Sequence, residues 1–536
     1  MVYPQLPPIM IHSLTLAPMI SIVAAFAMPL VGLMIKNRRV WDAYVFTITT
    51  IVLALASIGA YMLYYVVEGP FVYMLGGWPP PIGIVYEVDK FSALLGVVSA
   101  FIIWLAVIYG LKYFELNEDG LEWYYTFLLG FEAGVLGCLY TGDIFNVFVL
   151  FEVLSVSSYG LISFWNRRGE CLEAALKYAI IGSMATTVYF IGVTFAYGSF
   201  GTLNMADLAA KLRNILFPIT MSPIGPVALG VSLFIALAIW AFTVEAGVAP
   251  NHFRVLDAYQ VSPSTTAALL SGLASNVGLY LLARYLITIL SGAKEIAPIV
   301  DAALTILAIM GIFSILLGSF LMIAQNDINR VLAYSSVLNY GYVAFAVGLG
   351  TPLALGAALY HMVNHAIAKT LMFLASGVYV KASGTRNLDE MAGVGRLAPV
   401  TSAAMVIGAL ALAGIPPFNG FVSKLLLYNA LLELNLAPLV IVIIISSALS
   451  LMGYFKIIFN VYGKPPLRSY GKVEPGASML LPLIVLAILC IIFGIGSPWI
   501  YPSLIEPAIG DVTNTKAFIE AAYKFAKLLV EVGAKI

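Results

Sequence analysis

One apolar segment, Leu355-GAALYHMVNHAIAKTLMFLASG-Val378, carries His361, His365 and Lys369. Steps of four residues drift only about 40° around a helix, so all three share one face, a stripe roughly 12 Å long at about 1.5 Å rise per residue. The flanks are apolar enough to span a bilayer. Basic groups in a buried span are costly, and intramembrane rows of ionisable groups are often proton relays. The competing reading is a core helix whose histidines are simply hydrogen-bonded.

Other ionisable residues fall inside apolar segments: Glu132, Glu152, Lys177, Glu245, Arg284, Lys424 and Lys456. Arg284 and Lys456 lie near segment ends, where long basic side chains snorkel to the surface. Glu152 lies within a turn or two of Ser155, Ser158 and Tyr159, which offer hydroxyl partners to a carboxylate. Lys177 opens the following segment. Burial and neighbouring charge bring carboxylates and lysines towards the range where they exchange protons. Glu152 and Lys369 are read as parts of such a path; the alternative is static ion pairs holding helices together.

Of 536 residues 61% are hydrophobic and only 10% charged, against about 25% charged in soluble domains. This is the composition of a polytopic membrane protein and excludes a soluble enzyme. Lys+Arg and Asp+Glu are 27 each, so no net charge points to nucleic acid. Cys138, Cys171 and Cys490 lack metal-ligand or haem spacing, so no cofactor, metal or disulfide framework is expected. The first apolar segment, from about Ile11 to Ile35, is too long for a signal-peptide core and is read as a retained span.

A window of about 19 residues yields about 14 spans, so the fold class is an all-α polytopic membrane protein. One set of loops holds Lys36, Arg38, Arg39, Arg167, Arg168, Arg254, Arg330, Lys381 and Arg386, and the opposite set is poorer in Lys and Arg. The positive-inside bias then makes the first set cytoplasmic and puts both termini outside the cell membrane. Apolar residues at helical spacing in the tail Asp511–Ile536 read as one amphipathic helix lying in the membrane interface.

Proline breaks two spans, the seventh at Val231-SLFIALAIWAFTVEAGVAPNHF-Arg254 and the twelfth at Leu410-ALAGIPPFNGFVSKLLLYNA-Leu431. Freed backbone at membrane depth is tolerated only inside protein or beside a hydrated cavity. Glu245 and Lys424 sit close to the breaks. A five-span offset between them inverts topology, the mark of two inverted five-helix repeats. The divisions are a three-helix N-terminal segment (1–123), a first repeat (124–288), a second repeat (299–460), and a last span with the tail (461–536). Kinks used only for packing are the alternative.

The motifs together resemble the antiporter-like membrane subunits of Mrp-type cation/proton antiporters and complex I. The likeness is greatest to the Mrp D-type branch shared with archaeal membrane-bound hydrogenases and related respiratory complexes. The stretches that carry it are Gly142-DIFNVFVLFEVLSVSSYGL-Ile162, Ala174-ALKYAIIGS-Met184, Tyr197-GSFGTLNMADL-Ala209, Gln325-NDINRVLAYSSVLNYGY-Val343, Tyr360-HMVNHAIAKTLMFLASG-Val378, Gly384-TRNLDEMAGVGR-Leu397 and Leu410-ALAGIPPFNGFVSK-Leu425. The resemblance implies 14 spans with broken seventh and twelfth helices. It makes Glu152 the essential glutamate of the fifth span and Lys369 the central lysine, flanked by His361 and His365. Lys424 becomes the lysine of the second broken helix.

Two positions depart from the family pattern. Val244-EAGVA-Pro250 has Glu245 where the family has lysine, and Ser275-NVGLY-Leu281 has Asn276 where it has lysine or histidine. Two carboxylates, Glu152 and Glu245, would then share a proton, with Glu132 as a third candidate. The expectation is a proton path in the second half (His361, His365, Lys369, Lys424). The first half is closed, re-routed through Lys177, or turned into a sodium site near Glu152 and Glu245, since hard cations take oxygen ligands. The leading function is an ion-translocating subunit of a complex I-like respiratory complex with no catalytic centre of its own. Its partners would be other antiporter-like and small membrane subunits, a peripheral redox arm elsewhere in the complex, and the lipid bilayer. The alternatives are an Mrp-type Na+/H+ antiporter subunit, a structural spacer that has lost coupling, and, least of all, a solute transporter.

Overall fold

Short polar residues set many of the helix starts. Asp89 forms a reciprocal capping box with Ser92, and Asp143, Asn204, Asp327 and Thr351 each accept from backbone N–H groups of the first turn that follows. The structure, a computed structural model, describes residues 6–115, 118–217, 222–471 and 473–533, with side chains as far as 527.

The chain opens with α1 (Pro8–Met34), α2 (Arg38–Tyr65) and α3 (Lys90–Tyr113). Between α2 and α3 the structure departs from an all-helical chain: β1 (Phe71–Met74) and β2 (Val85–Val88) form an antiparallel hairpin. Next come α4 (Leu121–Tyr140), α5 (Ile144–Ile162), α6 (Gly169–Phe200) and the short α7 (Met205–Lys211). The first broken span is α8 (Val227–Ala246) and α9 (Phe253–Val261). It is followed by α10 (Ser264–Leu269) and α11 (Ser275–Ala283), joined and extended by π turns at Leu270–Ala274 and Arg284–Leu290. Then follow α12 (Ala297–Ala324), α13 (Ile328–Leu349), α14 (Pro352–Ser383), the second broken span α15 (Pro399–Ala413) and α16 (Asn419–Glu433), α17 (Ala437–Ile458) and α18 (Ala477–Ile495). A short α19 (Ser497–Ile500), α20 (Glu506–Thr513) and α21 (Thr515–Gly533) close the chain.

Among the described residues eleven helices are long and apolar enough to cross a membrane. The segment Ser264–Leu290 and α13 are enclosed on all sides, while α1, α2, α6, α12 and α17 turn apolar side chains such as Phe26, Ile180, Ile309 and Ile441 outward. Outward apolar faces suit lipid or neighbouring membrane helices.

The two ends of the bundle are built differently. At one end Arg38 donates to the Phe114 and Leu111 carbonyls, Lys381 pairs with Glu115, and Arg386 pairs with Glu170 and Asp327. The other end carries the hairpin and the tail. There Arg284 holds Asp89 with two guanidinium nitrogens at 2.6 and 2.8 Å, and Thr288 donates to Val512 O of α20. Arg284 therefore does not snorkel; it is buried and tied to a residue far away in sequence. Lys456 turns inward to the Ile323 and Gln325 carbonyls at the end of α12.

The tail is likewise corrected. It is broken at Asn514 rather than one helix, and Phe518, Ile519, Ala522 and Ala526 of α21 are buried by protein, against α7 and the hairpin. Residues 534–536 lie outside the described residues.

Candidate functional site

The α14 row lies at the centre of the bundle, and His361, His365 and Lys369 are all buried. Lys369 Nζ donates to the Leu332 carbonyl (3.1 Å) and to the Ser335 hydroxyl, both on α13. One turn along, His365 packs edge-on against the Tyr340 ring with centroids 4.4 Å apart, and neither of its ring nitrogens has a hydrogen-bond partner among the described residues. One turn further, His361 contacts Asn339 Oδ1 on α13 at 3.2 Å and Ser423 Oγ on α16 at 2.9 Å. The π turn at Leu270–Ala274 lies alongside, with Gly272 facing Ala366 and Thr370. Such turns recur at functional sites.

Lys424, next to Ser423, answers the second break. α15 ends at Gly414 in the left-handed region (φ 84°), which leaves carbonyls unpaired. Lys424 Nζ donates to one of them, Ala413 O, at 2.9 Å, and to Ser447 Oγ at 3.0 Å. It also lies 4.8 Å from the centre of the Tyr342 ring. A cation at a helix C-terminus is favourable, and both this and the cation–π contact hold the amine in the interior beside the row. Lys369, His365, His361 and Lys424 thus form a band of buried side chains across α13, α14 and α16, with polar contacts at Lys369, His361 and Lys424 and a ring contact at His365.

The first break is answered differently. Glu245, in the last turn of α8, is paired with Arg254 in the first turn of α9, and both are fully buried. Arg254 also donates to Tyr178 OH at 2.8 Å, and its guanidinium lies 3.9 Å over the Tyr178 ring. Arg254 therefore does not belong to a surface loop. Gly182 of α6 makes room for it: a Cβ there would come within 2.6 Å of Tyr159 OH and 2.8 Å of Arg254 Nη1. One Glu245 oxygen and two Arg254 nitrogens lack a partner among the described residues, which leaves polar capacity for water.

The remaining expected residues do not join this cluster. Glu152 is half-buried on a face of α5 shared with the exposed Val149 and Val156. It makes no hydrogen bond or ion pair with the described residues, so nothing brings it to Glu245. The idea that these two carboxylates share a proton is replaced by the Glu245–Arg254 pair. Lys177 is half-exposed rather than buried and pairs with Glu173 (2.7 Å) and Asp257 (3.1 Å) at the surface. Glu132 is buried in the seam between α4 and α1, where Ser21 Oγ donates to it at 2.9 Å. Asn276 donates to the Gly272 and Met362 carbonyls.

A cleft of about 340 Å3 opens at the end that carries Arg386 and Lys381, with Glu115, Gln260 and Asn329 also on its walls. The Lys381 ammonium holds the Glu115 carboxyl below its ordinary range. On its floor Asn329 accepts from Ser376, two turns along α14 from Lys369.

Sequence reasoning missed Arg254, Ser335, Asn339 and Ser423. Ser335 and Asn339 are four residues apart, the same spacing that exposed the α14 row, and fall within the family-like stretch from Gln325 to Val343. Arg254 carried a weaker signal, a basic residue four positions beyond Pro250.

Residues 141–450 match the family described as NADH:quinone oxidoreductase/Mrp antiporter, TM. The NADH-quinone oxidoreductase subunit N of Desulforudis audaxviator is 35% identical over 456 residues, covering 82% of this chain and 87% of that protein. The D-type subunit of the Na(+)/H(+) antiporter of Alkalihalophilus pseudofirmus is 30% identical, covering 85% and 89%. Among solved structures, a chain of the membrane-bound sulfane sulfur reductase, an archaeal respiratory membrane complex, superposes with a TM-score of 0.85 at 29% identity, covering 95% of this chain and 99% of that one. A chain of the Mrp complex from Dietzia sp. shares the fold, with a TM-score of 0.83 at 24% identity, covering 95% and 100%.

Proposed function

Because the chain belongs to the NADH:quinone oxidoreductase/Mrp antiporter membrane family, we propose that it is a proton-translocating subunit of a complex I-like respiratory complex. Partner subunits supply the driving force. The observation that carries this reading is the buried band of Lys369, His365, His361 and Lys424, with two amines bonded, among the described residues, only to neutral oxygens. Buried amines without carboxylate partners are costly as fixed structure and suited to taking up and releasing protons. Resemblance to a respiratory reductase chain at 29% identity and to an NADH-quinone oxidoreductase membrane subunit at 35% favours the respiratory setting. The 30% identical antiporter chain supports the second reading, an Mrp-type Na+/H+ antiporter D-like role.

The architecture proposed for this role has fourteen spans: the eleven apolar helices together with α4, α14 and the broken α15–α16 pair. Two inverted repeats are supported by matching bridges. Asp143 before α5 pairs with Asn204 near the hairpin end, and Asp327 before α13 pairs with Asn387 near the basic end. In the first half, the Arg254 guanidinium sits where a cation bound to Glu245 would sit, which favours an internally closed half over a sodium site.

The test is ion flux in vesicles holding the whole complex, with and without sodium. Lys424→Ala abolishes proton movement, and Glu245→Ala leaves no sodium-dependent component to lose. A sodium-dependent flux lost only in Glu245→Ala overturns the closed first half, and full flux in Lys424→Ala overturns the proton path.

A further inference from the structure

The donor and acceptor inventory around His361 fixes which ring nitrogen exchanges protons. Asn339 Nδ2 lies 2.6 Å from the Ser335 backbone carbonyl, which can only accept. That contact decides the orientation of the amide: its nitrogen faces Ser335 O, and its oxygen faces His361 Nε2 at 3.2 Å. Turning the amide over would set two acceptors against each other. An amide oxygen accepts only, so Nε2 must carry the hydrogen. In the neutral ring the lone pair is then on Nδ1, 2.9 Å from Ser423 Oγ.

Ser423 has one hydroxyl hydrogen and two places to put it, His361 Nδ1 and the Gly420 carbonyl at 3.1 Å. With the ring neutral, Ser423 donates to Nδ1. With the ring protonated, Nδ1–H donates to Ser423 Oγ, and the hydroxyl turns to Gly420 O. Both charge states are satisfied by one rotor.

We propose that Asn339 is a positioning residue that locks His361 as the Nε2–H tautomer, and that Ser423 is the exchange partner through which His361 gains and loses its proton at Nδ1 alone. The proposal rests on the proton-path reading. A proton arriving at Ser423 Oγ pushes the hydroxyl hydrogen onto Nδ1, forming the second ring N–H bond there, and the hydrogen left on Oγ turns to Gly420 O. Departure by the same hydroxyl breaks that bond and restores the neutral ring. The α13 side of His361 is a dead end, because the amide accepts the Nε2 hydrogen without passing it on. Proton exchange by His361 is thereby confined to its α16 side.

The test uses the full complex with nitrogen-15-labelled histidine. The chain has four histidines, and comparison with His361→Gln assigns the signal. The neutral His361 ring is expected as the Nε2–H tautomer, with Nδ1–H appearing in Asn339→Leu. A wild-type ring found as Nδ1–H overturns the lock. In vesicles, Ser423→Ala is expected to cut proton flux about a hundredfold, the low end for a positioned acid–base group, and Ser423→Thr to recover most of it. Wild-type flux in Ser423→Ala overturns the exchange role. Failure of the proton-path reading shows separately, as full flux in Lys369→Ala, and leaves the tautomer signal unaffected.

Discussion

Arg254 faces Glu245 across the Pro250 break, so the buried acid at the end of α8 is met by a counter-charge from nine residues further on. Removing one member of such a buried pair strands the other, at a cost of about 3–5 kcal/mol. Glu245→Gln and Arg254→Gln should each lower the unfolding temperature of the purified complex, and the double variant should recover part of the loss. Strictly additive losses would show that the two residues are not coupled.

Gly182 is the space into which Arg254 and Tyr159 fit. Gly182→Ala forces one of them to move, at about 1–3 kcal/mol. Its thermal loss should shrink in an Arg254→Gln background, where the space is freed. An undiminished loss in that background would place the clash elsewhere.

The hairpin end should respond to pH through two neighbours. Burial acts to raise the Asp89 carboxyl, but Arg284 and bonds from Ser92 outweigh it and hold Asp89 below its ordinary range. Its contribution is complete above about pH 4 and is lost only as pH falls through the lowered value. Glu87 is pushed well above its ordinary range, first by burial and further by Asp89, with Arg284 opposing. A carboxyl raised in the folded state binds more protons than in the unfolded chain, so stability falls as pH rises from about 4 towards the raised value. Hydrogen exchange in β2 should therefore quicken with pH beyond the intrinsic rate increase, and Glu87→Gln should remove the excess. An excess that persists in Glu87→Gln would contradict this.

Lys177 lies outside the buried band and pairs at the surface. Lys177→Ala should leave proton flux at the wild-type level, and exposed pairs of this kind contribute little to stability. Loss of flux in that variant would reinstate a route through the start of α6.

Features written in local spacing were legible in the sequence. The α14 row declares itself by a four-residue step, and the breaks by Gly and Pro inside apolar runs. Arg254 and Arg284 were misplaced because their partners lie across a break or 195 residues away, and hydropathy carries no such pairing. A span's composition does not say which face meets its neighbours, so it cannot tell that Lys177 pairs at the surface. The amphipathic tail shows the same ambiguity: an apolar stripe looks alike whether lipid or protein covers it, and here it is α7 and the hairpin. Asn339 and Ser423 matter through hydrogen-bond geometry alone, which only the folded arrangement of α13, α14 and α16 displays.

On the proposed reading, protons pass through the second half by way of Lys369. The most direct measurement is proton uptake by vesicles containing the assembled complex, wild type against Lys369→Ala, with assembly checked by co-purification of the partner subunits. Uptake should fall about a hundredfold or more with assembly intact; uptake at the wild-type rate in an assembled Lys369→Ala complex would contradict the account.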